Sequence, residues 1–262
     1  MNIHFSDISL LETLKRATIC RVQFGSYLYG TMSENSDIDY LYIYRTSNDE
    51  LNSFLNSSHQ MQFKEQGIDH NFVSIHAFIR NLISGDSTVN FECLFSNDMA
   101  NSKELSFLYD MRHEFISYTL IKSYLGLAKR DIKMLNSQKT ESDKISAYCH
   151  AQRGGLFASE LYYDKDLTMD NSVYKVRQSD ILIEGYNKNN TEWLLDEISS
   201  LRERLEENKK YFVKYLSVES SSKVDFELSR LMRSEWWIEN DTKIDLNIFY
   251  EALESPILYK SE

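Results

Sequence analysis

The sequence predicts an α+β chain: a small mixed β-sheet flanked by helices over residues 1–100, followed by an all-α domain over residues 101–262. Three observations predict it. Short runs with apolar residues at every second position, the period of a strand, fall only in the first hundred residues. From about Lys103 onward the apolar residues recur every three to four positions, the period of a helix. With one Pro and eight Gly in 262 residues, little interrupts a long helix.

Ser6 or Asp7 is placed to cap a first helix reaching about Ala17, with Ile8, Leu10, Leu11 and Leu14 on its apolar side. The strand Ile19–Phe24 alternates Cys20, Val22 and Phe24 against Arg21 and Gln23. Gly25-Ser26 then turns the chain, and a second strand covers Ile38–Tyr44. Residues 46–56 read as a polar connection, and Phe63–Gln66 carries no clear assignment. A third strand spans Gly67–Ile75 and leads into a helix with Phe78, Ile79, Leu82 and Ile83 on one side. Gly85-Asp86-Ser87 breaks it, and a short helix carries Val89, Phe91, Leu94 and Phe95.

The helical part starts with a short piece at Phe107–Met111 and a long helix at Phe115–Leu135. Ser142-Asp143 is expected to cap the next, Lys144 to Tyr163. A loop (Asp166–Asn171) and a turn of helix from Tyr174 toward Ile183 follow. Thr191 is expected to cap a charged helix over Glu192–Leu216. Its charges alternate in sign, as on a solvated surface. Helices at Val224–Trp237 and Asp245–Leu253 complete the chain.

The chemistry concentrates between Phe24 and Tyr44. Asp37 and Asp39 are two apart, so on a strand they share one face with Leu41 and Ile43, while Ile38, Tyr40, Tyr42 and Tyr44 line the other. Two adjacent carboxylates either share a proton or hold a cation. Oxygen ligands on a rigid strand suit Mg²⁺, which is bound by one or two carboxylates together with substrate phosphates. The Gly25-Ser26 turn beside them offers backbone N–H groups to those phosphates. Together these are the parts of a metal-assisted transfer from a nucleoside triphosphate.

Gly25-Ser26-Tyr27-Leu28-Tyr29-Gly30, a spacer, then Ser36-Asp37-Ile38-Asp39 and an apolar strand resembles the signature of the DNA polymerase β superfamily of nucleotidyltransferases. Within it the segment resembles the RlaP-type branch, associated with RNA repair. The resemblance implies a third carboxylate on a neighbouring strand, for which Asp69 is the candidate and Glu65 the runner-up. Asp69, followed by Ser74 and Phe78, matches that branch's spacing. The resemblance also brings Glu92, ahead of Leu94, Phe95 and Ser96, toward the site; the alternative is a Glu on the open face of its helix.

A second cluster lies on the helix from Lys144. Lys144 and Tyr148 are four apart, and His150 and Arg153 three apart, so each pair shares a face. Arg binds phosphate with a planar fork, and His donates to a phosphate or moves a proton. Lys144-x-x-Ala147-Tyr148-x-His150-x-x-Arg153 is similar to the helical block of the same branch, except that Cys149 separates a Tyr and His usually adjacent there. The other reading is an Arg and Lys solvated at the surface and a His satisfied by its neighbours.

The resemblance extends to about Gly185 and implies a mechanism. Gly25 and Ser26 position the nucleoside triphosphate, joined by Lys144, Tyr148, His150 and Arg153. Asp37, Asp39 and Asp69 hold Mg²⁺ or Mn²⁺, and an acceptor hydroxyl attacks the α-phosphorus. The acceptor is expected to be RNA (a tRNA or a damaged RNA end). A protein hydroxyl, a small molecule, a toxin-type substrate or a catalytically inactive nucleotide-binding role are the alternatives. A net charge of −11 argues against general nucleic-acid binding. It divides as −6 over residues 1–100 and −5 over the rest, which holds most of the Lys and Arg. Cys20, Cys93 and Cys149 have no zinc-site spacing. No apolar run is long enough to span a bilayer and no signal peptide is apparent, so a cytoplasmic location with no membrane partner is expected.

Overall fold

The computed structural model describes residues 11–12, 14–30, 32, 36–45, 60–65, 67–135, 140–167, 188–212 and 216–232. Four strands form one sheet: β1 (Thr18–Phe24), β2 (Ile38–Tyr44), β3 (Gln60–Glu65) and β4 (Ile68–Ser74). Their order is β1-β2-β4-β3. β2 runs parallel to β4, and each outer strand is antiparallel to its neighbour, which makes the sheet mixed.

Alternation along these strands sorts the side chains into two layers. Val22, Leu41, Ile43 and Val73 face the helices and join the main core, while Tyr42, Tyr44 and Phe72 pack on the other face with Leu11 and Leu14. Burying each of these aliphatic side chains contributes about 1.5–3 kcal/mol. The expected division of β2 into a Leu41/Ile43 face and a tyrosine face is therefore observed. β3 was not legible as a strand. Its run Gln-Met-Gln-Phe-Lys-Glu is polar because it is an outer strand, with only Met61 and Phe63 turned toward the second layer.

Helix α1 (Ile75–Ser84) begins where β4 ends, with the Ser74 hydroxyl accepting from the Ala77 N–H at 3.2 Å. Gly85 ends it with φ of 71°, and a Cβ there would lie 2.7 Å from the Leu120 nitrogen. Two short helices follow, α2 (Thr88–Cys93) and α3 (Asn97–Ala100). Asp98 of α3 accepts the Gln23 N–H at 3.1 Å, which satisfies a donor on the outer edge of β1. After α4 (Ser106–Asp110) and a 3₁₀ turn (Arg112–Phe115) come the long helices α5 (Tyr118–Met134) and α6 (Glu141–Tyr163), packed on each other.

The cap of α6 is Thr140, whose hydroxyl accepts from the Asp143 N–H at 3.1 Å, rather than Ser142-Asp143. Helix α7 (Lys188–Glu207) starts before Thr191 and stops at a 3₁₀ turn (Lys209–Tyr211) short of Leu216. Helix α8 (Val218–Met232) is the last described element. The expected helices near Tyr174–Ile183 and Asp245–Leu253, the expected loop after Leu167 and the connection over 46–56 lie outside the described residues. One continuous apolar core runs from Cys20 and Val22 of the sheet to Leu205 and Val224 of the helices. Among the described residues, no helix is long and apolar enough to cross a membrane.

Candidate active site

Strand register assembles the carboxylates. Across the sheet, Lys64 of β3 pairs with Asp69 of β4, Asp69 with Asp39 of β2, and Asp39 with Phe24 of β1. Directly paired residues share a sheet face, so Lys64, Asp69 and Asp39 stand in one row. Asp37, two residues before Asp39, lies on the same side at the mouth of β2. This is the face on which Leu41, Ile43 and Val73 continue into the helical core.

Gly25 closes the β1 end of the row. It has φ of 64°, and a Cβ built on it would sit 2.3 Å from Asp39 Oδ2. The Asp39 carboxylate therefore lies against bare backbone that only glycine provides. Ser26 is the next residue of that turn. The loop ends at Gly30, also left-handed at φ of 61°, and is held by Gly30 N–H donating to the Tyr27 carbonyl at 2.9 Å.

The acidic row carries its own cation. Lys64 Nζ donates to Asp37 Oδ2 at 2.8 Å and stands 3.4 Å from Asp69 Oδ1. That Asp69 oxygen is buried, and among the described residues the Lys64 ammonium is the partner that reaches it. The hydrogen bond to Asp37 and the contact with Asp69 raise the Lys64 pKa. Among the described residues no cation contacts Asp39 directly, and the Lys64 charge opposes the rise in its pKa only in part. Burial, then the charges of Asp69 and Asp37, raise its carboxyl above the ordinary aspartate value.

Oxygen-only donors in a charge-crowded row suit a divalent ion. The ammonium drawn between Asp37 and Asp69 shows that a cation is accepted there. Among the described residues, no three His, Cys, Asp or Glu side chains are already gathered around a single metal position.

A second group joins the glycine loop to the helices. Tyr29, inside the loop, is buried, and its hydroxyl donates to Glu92 Oε2. Tyr124 of α5 donates to Glu92 Oε1 at 2.9 Å. Glu92 is 5% exposed, and burial raises its pKa against the opposing effects of Arg153 and the two tyrosine hydroxyls. The Arg153 guanidinium lies 4.0 Å from the centre of the Tyr29 ring, and its Nη2 lies 3.1 Å from His150 Nδ1. His150 is exposed at the helix surface, and partial desolvation and the Arg153 charge lower its pKa.

Of the sequence-predicted residues, the structure brings Gly25, Ser26, Asp37, Asp39 and Asp69 to one end of the sheet. It brings Arg153 and His150 to the glycine loop through Tyr29. Glu92 is a buried anchor of that loop rather than a residue on an open helix face. Tyr148 is 2% exposed and belongs to the core. Lys144 sits in the first turn of α6, about 13 Å along the helix from Arg153 at 1.5 Å per residue. Sequence reasoning missed Lys64, Tyr29 and Tyr124. The alternation in Gln60–Glu65 is the one signal that points to Lys64; nothing local marks Tyr124.

Residues 8–211 match the model of a family described as RlaP, the RNA repair pathway DNA polymerase beta family. The chain belongs to the RlaP family. It is accordingly a nucleotidyltransferase of the DNA polymerase beta type, and the matched span includes every candidate site residue named above, from Gly25 to Arg153. Among solved structures, this RlaP chain is similar to the crystal structure of a nucleotidyltransferase-like protein from Exiguobacterium sibiricum 255-15. The two are 15% identical with a TM-score of 0.32, over 94% of this chain and 88% of that one. No curated protein sequence matches.

Proposed function

We propose that this RlaP family member transfers a nucleoside monophosphate from a nucleoside triphosphate to an acceptor hydroxyl, with Mg²⁺ or Mn²⁺, and releases pyrophosphate. The observation that carries the reading is the cross-strand row of Asp39 and Asp69, with Asp37 beside it, abutting the backbone of Gly25.

Asp37, Asp39 and Asp69 would hold the divalent ion, which when bound supplies Lewis-acid stabilisation of the attacking and leaving oxygens. The backbone of Gly25 and Ser26 receives phosphate oxygens of the triphosphate beside the Asp39 carboxylate, with which a side chain at position 25 would collide. Arg153 and His150 reach the same loop from α6 and add charge-assisted donors to the phosphates. Lys144, in the first turn of α6, adds a cation further along the helix, and Tyr148 is part of the core that holds α6. The acceptor oxygen forms its bond to the α-phosphorus while the bond from that phosphorus to the leaving pyrophosphate breaks. Asp69, beside Asp39 in the row, takes the acceptor proton.

The acceptor proposed is an RNA end, supported by the RNA repair pathway in the family's description. The net charge of −11 supports a second reading, a protein or small-molecule hydroxyl. The test is transfer of label from an α-labelled triphosphate to RNA or protein by the wild type and by Asp39→Ala. The proposal requires transfer that the variant loses while staying folded. Transfer by Asp39→Ala at near wild-type rate would refute it.

A further inference from the structure

We propose that Lys64 is an internal counter-cation of the carboxylate row, and that a divalent ion enters only by exchange with its ammonium. The inference rests on the reading of Asp37, Asp39 and Asp69 as the metal-binding set.

Three observations carry it. The first is register: Lys64 is the β3 residue paired with Asp69, which is itself paired with Asp39, so the fold commits this lysine to the carboxylate face. The second is contact: its Nζ spans the row, 2.8 Å from Asp37 Oδ2 and 3.4 Å from Asp69 Oδ1. The third is freedom to leave. Lys64 is on the outer strand of the described sheet with a side chain 55% exposed, so its ammonium can swing into solvent.

A single ammonium on two of three carboxylates lowers their mutual repulsion while the site awaits a metal. It also occupies the oxygens that a metal needs. Two cations cannot share the same lone pairs, so each lowers the affinity of the other by the same factor. Lys64 thus sets how weakly the row holds a divalent ion. A merely structural lysine would do the opposite, because its loss would disorder the carboxylates and weaken metal binding.

The experiment is a Mn²⁺ titration of the full chain without nucleotide, read by loss of the free-ion electron paramagnetic resonance signal, for wild type, Lys64→Met and Asp39→Ala. Lys64→Met keeps the length of the stem and, at an exposed edge position, the fold; circular dichroism checks this. Lys64→Met is expected to bind Mn²⁺ about two- to fivefold more tightly than wild type, the range of one exposed ion pair. Added Mn²⁺ is expected to raise its melting temperature further than that of wild type. Asp39→Ala is expected to lose the binding.

Unchanged or weaker Mn²⁺ binding by Lys64→Met, with wild-type binding that Asp39→Ala abolishes, would overturn the role of Lys64 and leave the metal site standing. No Mn²⁺ binding by wild type and Lys64→Met alike, or binding indifferent to Asp39→Ala, would overturn both.

Discussion

Replacing Gly25 by Ala perturbs the site at the closest approach between the loop and the carboxylates. The backbone cost comes from φ of 64°: holding an L-residue in the left-handed region costs about 1–2 kcal/mol. The contact cost is larger in effect. The new Cβ would stand 2.3 Å from Asp39 Oδ2 and 3.2 Å from its Cγ, so the carboxylate must retreat by about 1 Å to reach ordinary contact, and a misplacement of that size costs about 10²-fold in rate. Stability and activity therefore separate. Thermal unfolding is expected to show a drop of about 2–4 °C per kcal/mol for a chain of this size. Turnover of an α-labelled triphosphate, measured well below that transition, is expected to fall about 10²-fold. Near wild-type turnover by a folded Gly25→Ala would refute the claim that Asp39 works from the position the loop gives it. A loss fully explained by unfolding would refute it equally.

Four further outcomes are expected. Tyr29→Phe removes one of two hydroxyls from buried Glu92 and is expected to cost about 1–3 kcal/mol in urea unfolding, together with a higher KM for the triphosphate as the loop loosens. Glu92 has a raised pKa, so its stabilising contribution is complete below the ordinary glutamate value and is lost as pH rises through the elevated one; urea unfolding across pH should therefore favour Glu92→Gln over wild type increasingly from about pH 4.5 upward, then level off. Arg153→Ala is expected to raise the KM for the triphosphate about tenfold or more, the worth of a charge-assisted hydrogen bond, with kcat less affected. Asp39, raised by burial and by Asp69 and Asp37, must ionise before it can bind a metal. Activity at limiting Mg²⁺ should therefore fall as pH is lowered through a point above 3.8, whereas an activity unchanged down to that point would contradict the role of Asp39.

What could be read in the sequence was local. β2 was legible to the residue because Leu41 and Ile43 alternate with Tyr42 and Tyr44, and that alternation alone puts Asp37 and Asp39 on one face. The Gly25 turn was legible because no other residue suits it. β3 was not, since an outer strand keeps polar residues at most positions, and Lys64 acquires its place only through pairing with Asp69. Glu92 was legible as a residue of interest but not as a buried one. Its partners Tyr29 and Tyr124 lie 63 and 32 positions away, and only the packing of α2 against the loop and α5 brings them together. The start of α6 at Thr140 shows how two plausible caps in one short stretch leave a boundary open.

The most direct measurement is incubation of the purified chain with each α-³²P-labelled nucleoside triphosphate, Mg²⁺ or Mn²⁺, and total cellular RNA and protein. Asp37→Ala and Asp39→Ala are run alongside with their folding checked. Metal-dependent label on an acceptor, lost in both variants, is the result expected, and the labelled species decides between an RNA end and a protein hydroxyl. Label that persists in both folded variants would contradict the account, because the cross-strand carboxylates would then not be the site of transfer.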